Sequence, residues 1–228
     1  RADGAYDLAV NGGTALTLRI QMLGYAEAQR RVSPGWQATA FAEHTMLVAE
    51  SGSLGSVVAS GADVQSIVGF TESDESGTRT PVLIMQPGTR AMARTNDGRS
   101  IPLDALTVRA TEFTVGASRR EAMPAMLPET TAYTYAISIT VDEALSEGAT
   151  RVDLETPVAF YLDNFLNAPV GVVVPVGSYD PESGVWVPES NGYVIAVVGV
   201  EDDRAQVDLD GNGLPEPAPA LNAAVSAA

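Results

Sequence analysis

The residues best spaced for chemistry are Asp208, Asp210 and Asn212, followed by Gly213. They occupy positions 1, 3, 5 and 6 of a calcium loop, in which alternate side chains converge on one hard cation and the glycine permits a sharp turn. Position 12 falls at Pro219, so the bidentate glutamate that closes an EF-hand is missing. Glu216 at position 9, or Glu201, Asp202 and Asp203 upstream, can make up the charge. The expected metal set is therefore Asp208, Asp210, Asn212 and Glu216, with calcium as the cofactor. The same residue types also suit a polar hairpin tip selected for turn geometry alone.

What the chain lacks narrows the rest. It has no cysteine, no lysine and a single histidine, His44. Schiff-base chemistry, a P-loop lysine, a lysine-derived isopeptide staple, thiolate nucleophiles and cysteine-ligated zinc are all excluded. His44 lies in FAEHTMLV at the start of an apparent strand, with no GxSxG or HExxH spacing around it, and reads as a structural histidine. Asp153 with Glu155, and Glu72, Asp74 and Glu75, are residue types a glycosidase uses. Hydrolysis requires two carboxylates about 5 to 10 Å apart across a cleft, and the loop TESDESG reads instead as a solvated turn. Tyr179 and Trp186 in GSYDPESGVW suit either a sugar or partner surface, or the edge of a small core; Trp36 in SPGWQ has the same two readings. No catalytic residue is assigned, and the expectation is a protein that is not an enzyme.

The elements that must position these residues are strands. Leu16, Leu18, Ile20 and Met22 alternate with Thr17, Arg19 and Gln21. Tyr133, Tyr135, Ile137, Ile139 and Val141 alternate with polar or small residues, and Val158, Phe160 and Leu162 continue the period of two. Turn dipeptides punctuate them at Asp3-Gly4, Asn11-Gly12, Asp97-Gly98, Asn191-Gly192, Asp210-Gly211 and Asn212-Gly213. One short helix is expected at about 141–148. Thr140 and Glu143 have capping-box spacing, and Gly148 can end the turn. It would serve as a crossover between sheets.

The fold class expected is all-β: consecutive antiparallel β-sandwich modules, one crossover helix and a hairpin-rich C-terminal unit. The boundaries expected are a partial sandwich over 1–50, a sandwich over 51–165, a hairpin module over 166–213 and a Pro/Ala-rich tail over 214–228. At 228 residues and 45% hydrophobic composition the chain can fill real cores. Its formal charge of -16 repels a phosphate backbone, which argues against nucleic-acid binding. Its apolar runs are strand-sized, too short to span a membrane as helices. All the basic residues are arginine, which fits the codon usage of a GC-rich genome. Opening at Arg1 without a methionine, the chain reads as a segment of something longer.

Two resemblances sharpen this. ADGAYDLAVNGG (Ala2 to Gly13), the alternating strand from Leu16 and Gly24-Tyr25 resemble the later half of a carboxypeptidase-regulatory-like, transthyretin-type β-sandwich. LTVRATEFTVG (Leu106 to Gly116), MPAMLPETTAYTYAISITVDEALSEGA (Met123 to Ala149), FYLDNFLNAPVG (Phe160 to Gly171), VPVGSYDPESGVWVPESNGYVI (Val174 to Ile195) and DLDGNG (Asp208 to Gly213) resemble, in that order, the segment preceding the repeats in bacterial Rhs, or YD-repeat, proteins. These are large secreted or surface proteins related in architecture to teneurins. The second resemblance implies an accessory β-module ahead of a YD-repeat shell, secreted or displayed on a bacterial surface. Its partners would be other domains of the same parent chain, or a protein recruited by open sheet edges, second copies included. A calcium-dependent adhesive or carbohydrate-binding module is the alternative.

Overall fold

The structure, a computed structural model, describes residues 4–115, 119–126 and 134–221. It divides into two compact units: Arg1–Ser51 with Thr111–Ser138 and Pro181–Gly184, and Gly52–Ala110 with Ile139–Asp180 and Val185–Ala228. The boundaries expected from the sequence cut the chain only along its length, whereas this division gathers distant segments into each unit.

In the first unit, β1 (Leu16–Ile20) pairs antiparallel with β2 (Ala28–Val32), from Leu16 opposite Val32 to Ile20 opposite Ala28. Leu16, Leu18 and Ile20 are half-buried while Thr17 and Arg19 face solvent, so the period of two holds. Met22 does not continue that face: it lies past the strand end and is exposed. The alternation of Tyr6, Leu8 and Val10 does not become a strand either, and all three side chains are exposed. An apolar pattern makes a strand only where a neighbouring edge supplies hydrogen bonds. Here Gly13 N–H instead donates to the Pro34 carbonyl at 2.8 Å, closing a loop. The stretch around His44 is likewise outside any strand. A short helix, α1 (Arg119–Ala122), leads to buried Met123 and Ala125, which with Ala28, Phe113 and Ala122 are the unit's buried apolar residues among those described. The Arg30 guanidinium is buried beside them and donates to the carbonyls of Gln29 (2.8 Å), Met123 (3.1 Å) and Glu121 (2.9 Å).

Most strands belong to the second unit. They are β3 (Ser53–Val58), β4 (Gln65–Val68), β5 (Glu72–Asp74), β6 (Gly77–Arg79), β7 (Pro81–Met85), β8 (Ala91–Thr95), β9 (Ser100–Leu103), β10 (Ala105–Glu112), β11 (Ile137–Val141), β12 (Ala149–Leu154) and β13 (Ala159–Leu162). The last residues of β10 and the first of β11 fall in the other unit. Three three-stranded sheets, β11-β10-β3, β12-β8-β9 and β13-β7-β4, share one core. Val57, Ile67, Met85, Ala91, Ala93, Leu103, Leu106 and Val108 fill it, with Leu83, Val141, Val152 and Val158 packed on its margin. The architecture is all-β, as the alternation predicts. Tyr133, which opens one of the alternating runs, lies outside the described residues.

Helix α2 (Asp142–Ser146) joins β11 to β12, and therefore one sheet to another, and buries Ala144 in the core. Gly148 ends it with φ +68. The expected capping box is not formed. Thr140 remains extended within β11, the N-cap is Val141, and no side chain caps the helix. Glu143 turns instead to β10, where its carboxylate accepts from the Thr107 N–H and hydroxyl, each at 2.7 Å.

The C-terminal part is built of ribbons: β14 (Val173–Val174) with β17 (Gly192–Tyr193), β15 (Gly177–Asp180) with β16 (Val185–Pro188), and β18 (Ala196–Glu201) with β19 (Arg204–Asp208). Asn191-Gly192 does not form the left-handed turn expected of it, because Gly192 already belongs to β17. The tail is docked at its start, not free: Glu216 N–H donates to the Val207 carbonyl of β19 at 2.8 Å, and a helical turn occupies 218–221. No helix among the described residues is long and apolar enough to cross a membrane.

Candidate functional site

β19 delivers Asp208 to the start of the acidic loop with its side chain buried. Chain reversal then wraps backbone donors around that carboxylate. One oxygen accepts the N–H of Asp210 (3.1 Å) and Gly211 (2.8 Å), and the other accepts the N–H of Gly213 (2.8 Å). Gly211 and Gly213 take φ of +80 and +78, a backbone that other residues adopt only with strain. The pattern steps along the loop: Asp210 Oδ1 accepts the Asn212 N–H (3.0 Å), and Asn212 Oδ1 accepts the Leu214 N–H (2.7 Å). Burial raises the Asp208 pKa, but the three backbone donors outweigh it and hold the carboxyl below its ordinary range.

Of the four residues singled out for metal, three meet. Carboxylate oxygens of Asp208, Asp210 and Glu216 lie within 4.8 Å of one another. Ligands of one calcium ion, at 2.3 to 2.6 Å each, are at most about 5 Å apart, so the spacing suits that ion. Asn212 is engaged differently: its carbonyl is held by Leu214 and its amide donates to Asp210 Oδ2 at 3.0 Å. Glu201, Asp202 and Asp203 cannot supply further charge. Asp208 pairs with Ala196 at one end of the β18–β19 ribbon, and those acids surround the turn at the other, about 13 Å away along the strand.

Several of the remaining acids are bound to arginines. Asp153 on β12 accepts from Arg94 on β8 and from Arg151, both at 2.7 Å, and Glu155 lies 3.5 Å from Arg90. The Arg94 hydrogen bond, followed by that from Arg151, overcomes desolvation and keeps Asp153 below the usual carboxylate range. Asp142 is lowered by Arg109, which grips both its oxygens. Glu143 is raised by burial but lowered further by Thr107. A glycosidase acid requires the opposite shift. His44 is exposed and belongs to no strand. Tyr179 and Trp186 face each other across β15 and β16 with ring centroids 5.3 Å apart, a tilted pair that stiffens the ribbon.

One cluster escaped sequence reading. Arg79, 1% exposed, lies with its two terminal nitrogens 3.1 Å from the two oxygens of Asp74, and its guanidinium stacks on the Phe165 ring at 4.8 Å. Asp163 adds a hydrogen bond from the Thr80 N–H at 3.0 Å. The hairpin of β5 and β6 is thereby clamped to the loop after β13. The signal available was Asp74 and Arg79 spaced across a tight TESDESGTR hairpin; nothing in the sequence pointed to Phe165.

The chain matches no protein-family model, no curated protein and no solved structure.

Proposed function

We propose that this chain is a non-enzymatic structural and interaction module of a larger secreted or cell-surface bacterial protein of the Rhs, or YD-repeat, kind, where it links or closes the repeat shell. The observation that carries the reading is the commitment of polar side chains to structure. Asp142, Asp153 and Asp74 are gripped by arginines, Glu143 by Thr107, and Asp208 by three backbone N–H groups. The order of the five sequence blocks supports this family reading, and the transthyretin-type phrase suits a further β-module at the N-terminal side. Sequencing the reading frame past Ala228 tests this: tandem YD repeats are expected downstream, and a frame without them overturns the assignment.

A second reading is favoured by the convergence of Asp208, Asp210 and Glu216. In it, the loop holds calcium and the module is a calcium-dependent adhesive or carbohydrate-binding element. A ligand bound only by the native state raises the unfolding midpoint by mass action. Thermal unfolding in excess calcium and in EDTA should then differ, with Asp210→Ala abolishing the difference; equal midpoints remove the metal from this reading.

A further inference from the structure

We infer that Asn11 is a site of spontaneous modification, losing its side-chain amide in the folded protein well before the other two asparagines that precede glycine, Asn191 and Asn212. The reaction needs no enzyme. The backbone nitrogen of the following residue attacks the asparagine Cγ, a C–N bond closes a five-membered succinimide, the Cγ–Nδ2 bond breaks, and ammonia leaves carrying the proton from the backbone nitrogen. Water then opens the ring at either carbonyl to give aspartate or isoaspartate. Glycine favours attack because it has no side chain to obstruct it.

The fold ranks the three sites by what must be broken first. At Asn212 the amide oxygen accepts from Leu214, the amide nitrogen donates to Asp210, and the attacking nitrogen of Gly213 donates to Asp208. Cyclisation there costs three hydrogen bonds at once. At Asn191 the side chain is exposed, but Gly192 is paired with Val174 in a two-stranded ladder. At Asn11 the side chain is exposed, the residue lies outside every strand, and neither its amide nor the Gly12 N–H is hydrogen-bonded among the described residues. Both the electrophile and the nucleophile are at liberty. Only glycine fits at position 12, since a Cβ there would stand 2.4 Å from the Gly35 carbonyl oxygen. An isoaspartate at position 11 would insert a backbone methylene into this loop next to the Gly13-to-Pro34 hydrogen bond and add one negative charge.

The test is incubation of the purified chain in warm, mildly alkaline buffer, with peptide mapping by mass spectrometry and isoaspartate detection over time. Conversion at Asn11 should run several-fold faster than at Asn212, with Asn191 between them. Conversion of Asn212 as fast as Asn11, or of Asn191 ahead of Asn11, would overturn the inference. A parallel incubation in strong denaturant separates fold from sequence: the three rates should converge, and an order that persists there would show that the fold does not set it.

Discussion

A guanidinium is a planar fork that matches both oxygens of a carboxylate, and Arg79 uses it to hold Asp74 in a nearly solvent-free position. Truncating one member of such a pair leaves the other charge buried and uncompensated. Arg79→Ala should cost about 3 to 5 kcal/mol in urea unfolding, and Arg79→Lys should recover little of it because an ammonium cannot reproduce the fork or the stack on Phe165. A loss within experimental error would mean that the clamp is ornamental. Asp97 in the β8–β9 turn gives a gentler case. Hydrogen bonds from the Thr95 hydroxyl and then from Arg99 bring its pKa down from 3.8 to about 2. A titration followed by carboxyl NMR should place it there, and Thr95→Val should move it upward. Sequence reading recognised Asp97-Gly98 as a turn, since turn chemistry is local. It read Asp74 as solvated, because the ring and guanidinium that enclose it arrive from residues it does not adjoin.

At the scale of elements, α2 shows how a tertiary partner overrides a local motif. Thr140 and Glu143 have the right spacing for a capping box, but β11 keeps Thr140 extended and β10 offers Glu143 a hydroxyl and an N–H together. Glu143→Ala would leave the Thr107 donors without that acceptor and should destabilise the protein by about 1 to 3 kcal/mol, measured by denaturant unfolding. The same contacts make stability depend on acid. Asp142, Glu143, Asp153 and Asp208 all have pKa values lowered by folding, so each contributes fully above its unfolded value and loses that contribution as pH falls through the folded one. Unfolding midpoints should hold steady from neutrality down to about pH 5 and fall progressively below about pH 4. A midpoint that rises on acidification would contradict these assignments. The helix position and its end at Gly148 were legible because a glycine stop is local; the N-terminal cap was not, because the competing donors lie on another strand.

For the whole molecule, strand character was readable because alternation needs only neighbouring residues, as in Leu16, Leu18 and Ile20. The division into units was not, because it depends on which distant segments meet: Arg30 donates to carbonyls near position 122, and Gln29 to the Pro181 carbonyl at 3.2 Å. The acidic loop lies between these extremes. Its turns were legible, the carboxylates of Asp208, Asp210 and Glu216 come within 4.8 Å of one another, and the commitment of Asn212 to Leu214 was hidden in backbone geometry. The proposal that carboxylates here serve architecture rather than reaction chemistry is open to a direct check by site-resolved carboxyl NMR titration of the intact chain. Asp142, Glu143, Asp153 and Asp208 should each deprotonate below the ordinary carboxylate range. Any of the four still holding its proton near neutral pH, as a general acid must, would contradict it.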